Sequence, residues 1–189
     1  MPSLNIDMIV WRRRFDDAKP FKMDGVYCKL IPLTRGMYAI VNDDDYRPLV
    51  RWLWSARLGA KNNQWYAMRV NSHKGKNTAH YMHRHLLGLT KTNKVWVDHI
   101  NGNGLDNRRK NIRVATYSQN MCNRGISSAN TSGYKGVYQR GDTGQWVAQI
   151  TFDKKCKNLG SFPTKEEAAA AYSAAANVLH GEFANTGRI

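Results

Sequence analysis

Carboxylates are scarce in this chain: 14 Asp and Glu stand against 29 Lys and Arg over 189 residues, for a formal net charge of +15. An excess of that size implies a polyanionic partner, nucleic acid more often than anionic lipid, but names no chemistry. Cysteine is scarce as well. Cys28, Cys122 and Cys156 are odd in number, far apart and never in a C-x-x-C pair. This argues against a disulfide framework or a four-cysteine zinc site and fits a reducing cytoplasm. No apolar run approaches the ~20 residues that span a bilayer, and residues 1–7 lack the basic-then-apolar profile of a secretory signal. A cytoplasmic setting with no membrane partner is the expectation. What is plentiful is core material. With 42% hydrophobic residues, six tryptophans and a mean hydropathy of −0.61, the chain reads as soluble and globular, with room for one domain or two small ones.

The charge is unevenly distributed. Residues 1–125 carry 22 basic and 9 acidic side chains, whereas 126–189 carry 7 and 5. The shift coincides with a small polar stretch, 126–132, that reads as a linker between a first domain, 1–125, and a second, 133–189. In the first, Val26 to Val41 suggests two strands joined at 34–36, and Asp43, Asp44 and Asp45 suggest caps for a helix reaching Trp54. Strands are expected over 64–70 and up to Tyr81, with a short helix from His83. In the second domain, strands over 134–140, 145–152 and 156–162 form an antiparallel meander. Thr164 and Glu167 make a capping box for an alanine-rich helix ending at His180. The expected class is α+β.

The most informative segment is 95–120. It reads as strand, long loop, strand, helix, with Asp98 and His99 at the tip of the first strand and Asn120 in the first turn of the helix that Thr116 and Gln119 cap. An acidic oxygen, an imidazole and an amide oxygen are thereby expected around one small volume. Phosphodiester hydrolysis needs a water that an imidazole can deprotonate and a cation to neutralise charge growing on phosphate. Hard ligands such as Asp98 and Asn120 suit magnesium or manganese rather than zinc. Arg108, Arg109, Lys110 and Arg113 are placed to bind a nucleic-acid backbone.

This segment resembles the HNH, or ββα-metal, endonucleases of phages and mobile introns. The resemblance runs through Val-Asp-His-Ile-Asn-Gly, Leu-Asp-Asn-Arg and Asn-Ile-Arg-Val-Ala-Thr, with Asn111 twelve and Asn120 twenty-one residues after His99. It implies a nuclease core over about 80–125 preceded by an N-terminal strand and helix extension. It further implies His99 as general base, Asp98 and Asn120 as ligands of one Mg2+ or Mn2+, and Asn111 as the catalytic-set residue that orders the loop and the His99 backbone. Asn120 stands where the family often has histidine. His83 resembles a His-Arg step that precedes such cores and is a candidate for phosphate contact or for packing. Asn123, one turn from Asn120, is a candidate for DNA or metal water, or for solvent.

Residues 133–187 resemble the ethylene-response-factor (APETALA-two) DNA-binding domain, including Trp146-Val-Ala-Gln-Ile150, Leu159-Gly-Ser-Phe162 and Glu167-Ala-Ala-Ala-Ala-Tyr172. The resemblance implies a three-stranded sheet packed on one helix, its open face reading duplex DNA. Alternation sends Trp146, Ala148, Ile150 and Phe152 toward the helix and leaves Val147, Gln149 and Thr151 outside. Matching to the family adds Tyr138, Arg140 and Asn158 to the open face, with Lys135 nearby for phosphate. Together these readings predict a monomeric, metal-dependent endonuclease, homing-endonuclease-like, that nicks or cuts double-stranded DNA. Its rivals are a non-catalytic DNA-binding regulator on a nuclease scaffold and an enzyme acting on RNA.

Overall fold

The computed structural model describes residues 18–60, 63–73, 75–90, 92–127 and 129–187. The basic stretch 11–15, which in sequence reads as a phosphate-binding arm or a solvated tail, lies outside them. The chain forms two compact units, Met1–Arg113 and Val114–Ile189, each built of small antiparallel sheets and few helices.

The first unit opens with β1 (Phe21–Met23), β2 (Val26–Pro32) and β3 (Tyr38–Asn42), an antiparallel meander followed by helix α1 (Asp43–Val50). A second meander, β4 (Ser55–Leu58), β5 (Trp65–His73) and β6 (Lys76–Tyr81), leads into the short helix α2 (Met82–Leu86). Apolar positions of these elements make one core: Ile31, Ala39 and Val41 from the first sheet, Tyr46 and Leu49 from α1, Ala56 and Ala67 from the second sheet, and Met82 from α2. β7 (Trp96–His99) then pairs with β8 (Ile112–Ala115) across the loop 100–111.

Two expectations need correction. Helix α1 stops at Val50, four residues before Trp54. Pro48 lies inside the helix, and beyond Val50 the chain turns so that the Trp54 indole Nε1 donates to the Leu49 carbonyl at 2.9 Å, taking a carbonyl of the last turn. The aspartates of the first turn supply no cap either. Asn42 is the N-cap but its side chain does not cap the helix, its oxygen accepting instead from the Arg109 amide at 2.8 Å, while Asp43 pairs with Lys29 at 3.0 Å and Asp45 with Arg109 at 2.7 Å.

In the second unit, helix α3 (Tyr117–Cys122) begins at the Thr116 and Gln119 capping box. Strands β9 (Val137–Gln139), β10 (Trp146–Phe152) and β11 (Lys155–Phe162) pair antiparallel in the order β11, β10, β9. Helix α4 (Lys165–His180) starts at the Thr164 and Glu167 box and buries Ala168, Tyr172 and Ala176 against Val137, Ala148 and Ile150. Small residues permit this close approach. At Gly136, φ is +69°, and a Cβ would collide with the Tyr172 ring. Alternation along β10 is followed imperfectly: Val147, expected outside, is 2% exposed, and Phe152, expected inside, is 47% exposed. The register with β11 shifts between Ala148 and Gln149, where Leu159 is left without a strand partner, and the alternation of β10 side chains between faces continues through it.

Candidate functional site

Asp98 and His99 end β7, and both are buried, each 5% exposed. The loop that follows is fixed mostly by its own side chains. The Ile100 amide donates to the Asn111 carbonyl at 2.8 Å, and the Asn101 amide donates to the Asn111 side-chain oxygen at 2.9 Å. Asn111 Nδ2 in turn donates to the Asn101 side-chain oxygen and to the Asp106 carbonyl. The bonds of Asn111 fall on residues 100, 101 and 106 of the loop rather than on the His99 backbone, which makes it a positioning residue.

The loop is also tied to the sheets. Ile40 of β3 forms a parallel bridge with Asp106, its amide donating to the Leu105 carbonyl and its carbonyl accepting from the Asn107 amide. On the other side, a Cβ at Gly104 would overlap the Trp65 carbonyl and the Tyr66 ring of β5, so only glycine permits this approach. In sequence, Asp106 and Asn107 read as turn or cap residues rather than metal ligands. The structure makes them part of the site's frame, both fully buried. Their signal lay in the string Leu-Asp-Asn-Arg, whose acid and base are spaced to close on each other.

Of the basic run expected to grip phosphate, Arg108 is turned inward, while Arg109 and Lys110 are exposed. Arg108 is 3% exposed; its Nε and one terminal nitrogen donate to Asp106 at 2.8 and 2.6 Å, and the other terminal nitrogen donates to Asp24 at 2.7 Å. These carboxylates hold its pKa above the usual arginine value, against the opposing effect of burial. A guanidinium so placed has no face left for a phosphate. Arg109 forks onto Asp45, its Nε at 2.8 Å and a terminal nitrogen at 2.7 Å, and Lys110 donates to the Asp24 carbonyl at 2.7 Å. Arg113 donates through Nε and a terminal nitrogen to one oxygen of Asp98, at 3.0 and 2.9 Å. The arginine expected on DNA thus steadies the carboxylate expected on metal.

Around His99 the chain gathers rings. His83 lies edge-on to it with centroids 5.0 Å apart, Tyr81 stacks on His83 at 5.4 Å, and Tyr66 sits 6.0 Å from His99. Of the two candidate roles for His83, packing is the one this geometry supports: it is 8% exposed. Burial lowers the His99 pKa to about 4, with the Asn107 side chain and the carboxylates of Asp98 and Asp106 acting in the opposite direction. Burial and the neighbouring His99 push His83 down as well. Both rings are therefore neutral in the folded protein at pH 7.

The linkage sets a sign. Below pH 6.5 an unfolded His99 takes up a proton that the folded chain refuses until about pH 4. Stability is therefore intact above 6.5 and is lost as pH falls, by about 3 kcal/mol from this group over the whole window. Urea unfolding at pH 7 and pH 5 checks this, and His99→Phe should flatten the dependence.

A divalent ion would find one carboxylate here, Asp98. The described residues hold no group of three or more His, Cys, Asp or Glu arranged for a metal. That donor set does not suit zinc. It fits magnesium, which keeps several waters and takes one or two protein oxygens beside those of a phosphate.

In the second unit, Asn120 lies half-buried on α3. Asn123 is 4% exposed, and its carbonyl accepts from Asn185 Nδ2 at 2.8 Å, so the side chain does not face open solvent. Tyr138, Gln149, Thr151 and Asn158 are all exposed. The cross-strand pairs Tyr138 with Val147, Gln149 with Asn158 and Thr151 with Cys156 put them on one face. Arg140 is exposed but bound to Asp142 at 2.8 Å. Lys135 does not point to that face: its ammonium donates to the carbonyls of Cys122 and Arg124 at 2.6 and 2.7 Å, closing the end of α3.

No family model matches the chain, and no solved structure does. An uncharacterized HNH endonuclease of Acanthamoeba polyphaga mimivirus is 28% identical over 165 residues, 87% of this chain and 82% of that protein. Protein 3.8 of Escherichia phage T7 is 34% identical over 89 residues, 47% of this chain and 73% of that protein. Ethylene-responsive transcription factor ERN1 of Medicago truncatula is 39% identical over 84 residues, 43% of this chain and 31% of the plant protein.

Proposed function

Because this chain belongs to one family with Protein 3.8 of Escherichia phage T7 and ends a buried strand on Asp98 and His99, we propose that it is a DNA endonuclease of the HNH type. The observation that carries this reading is a neutral imidazole beside a carboxylate on a loop held rigid by Asn111, Asp106 and Arg108. Similarity across most of the chain to a viral protein named as an HNH endonuclease supports it. The run of β7, loop, β8 and α3 agrees in order with a ββα-metal core.

In this reading His99 is the general base. Its low pKa belongs to the dry site, since burial is the leading cause, and an incoming phosphate and water raise its basicity by solvation and negative charge. Asp98 is the acidic metal ligand, with Arg113 holding its carboxylate in place. Asn120 enters as the second ligand from its place in the sequence. Magnesium or manganese, when bound, supplies charge neutralisation at the scissile phosphate. The second unit is the duplex reader, through Tyr138, Gln149, Thr151 and Asn158, a role that similarity to a plant transcription factor supports.

A second reading, a DNA-binding regulator without catalysis, draws on the Arg113 grip on Asp98 and the burial of His99. Supercoiled plasmid separates the two. The enzyme converts it to open-circular or linear product with magnesium or manganese and not with EDTA, whereas a regulator shifts its mobility in a gel and leaves it intact.

A further inference from the structure

We propose that the β5–β6 hairpin is a second DNA-reading element, a two-stranded ribbon that enters the major groove from within the first unit. This deepens the nuclease reading and rests on it for the identity of the nucleic acid. The ribbon continues past the body of its sheet. β4 pairs only with Trp65 to Met68 of β5, and beyond them β5 and β6 carry on alone through Asn71 with Thr78, Ser72 with Asn77 and His73 with Lys76. From Val70 to His73, and at Lys76 and Asn77, every side chain is exposed, whichever face it is on. A strand that packed against its own protein would alternate between buried and exposed. Three pairs at ~3.4 Å each project ~10 Å, close to the ~8.5 Å depth of the major groove, whose ~12 Å width admits such a ribbon.

Charge and side-chain chemistry select the occupant. Residues 46–97 contain ten Lys and Arg and no Asp or Glu. The cations of 108–113 are matched to Asp24, Asp45, Asp98 and Asp106, whereas this stretch brings no carboxylate of its own. Lys76 and His73 sit side by side at the tip, suited to phosphate; Asn77 presents an amide able to fork onto adenine, and Asn71, whose amide oxygen accepts from Arg69, offers its NH2 to a base acceptor. Beyond Val70, the strands carry polar side chains where an apolar edge would have invited protein. The recognition surface is thus shared: one ribbon beside the proposed cleavage chemistry, one sheet face in the second unit.

The test uses the full chain with His99→Ala in the background, so that binding is read without cleavage. Selection from a random-sequence duplex library is expected to yield a preference that Asn71→Ala with Asn77→Ala relaxes at a few contiguous positions. Lys76→Ala is expected to weaken binding several-fold on every duplex and to lower the slope of log K against log salt by ~0.9, one phosphate contact. Both substitutions lie on exposed positions, and an unchanged melting profile confirms folding. Selected sequences and salt slopes equal to those of the parent overturn the ribbon, even if the parent cleaves plasmid normally. Changed selection and slope in a chain whose His99 form never cuts uphold the ribbon and sink the nuclease reading instead.

Discussion

His99→Ala is expected to lower plasmid cleavage in magnesium by about a hundred- to ten-thousandfold, the usual worth of a positioned general base. Binding of an uncut duplex should remain within about threefold of the parent, because a buried ring that is 5% exposed contributes little to the grip on a backbone. The readout must separate chemistry from folding, since removing the ring opens space beside Tyr66 and His83. His99→Asn keeps a polar, planar group there and should be equally inactive while melting nearer the parent. Cleavage by either variant at the parent rate would remove the base assignment. Partial activity restored to His99→Ala by added imidazole would strengthen it.

Arg108→Ala carries the largest expected cost in stability. It leaves Asp106, fully buried, without the two charge-assisted bonds that now balance it, and breaking one partner of such a pair costs about 3–5 kcal/mol. The contrast with the sequence expectation is sharp. A phosphate-gripping arginine would lose affinity on substitution and keep its fold; Arg108 should lose the fold of the first unit. Chemical denaturation followed by amide exchange in β2, β3 and the loop 100–111 tells the two apart. Arg108→Lys should recover little, since an ammonium cannot fork onto both Asp106 oxygens and still reach Asp24. In a double-mutant cycle, removing Asp106 as well should cost less than the sum of the single losses.

The contrast between Arg108 and the hairpin shows what the sequence carried and what it did not. Local rules were legible: both capping boxes stand where Thr116 and Thr164 put them, and β7, β8 and the meander of the second unit follow from alternation and turn residues. β4 escaped because four residues of Ser-Ala-Arg-Leu have no pattern of their own and become a strand only by pairing with β5. The burial of Val147 and the exposure of Phe152 escaped because alternation along β10 sorts residues to faces and says nothing of what covers each face. Charges were the least legible. Arg108 has one partner, Asp106, two residues away, but its burial also takes Asp24, 84 residues away, and Lys135 is drawn to carbonyls 11 to 13 residues away. The site's frame was dimly visible for the same reason. Asp98, His99 and Asn111 could be named from spacing, whereas Asp24, Gly104 and Tyr66 join them only through the fold.

The bonds that Asn101, Asp106, Arg108 and Asn111 make among themselves have a thermodynamic consequence. Fixing the backbone of a residue costs about 1–2 kcal/mol in conformational entropy, so ordering residues 100–111 represents on the order of 10–20 kcal/mol. Here that cost is met once, when the first unit folds, by hydrogen bonds internal to the loop and by its docking on β3 and β5. Substrate need not supply it on each encounter. Binding energy from the phosphate backbone is left free to act on the reacting bond, which places the kinetic burden on finding the site and breaking the ester rather than on assembling the loop.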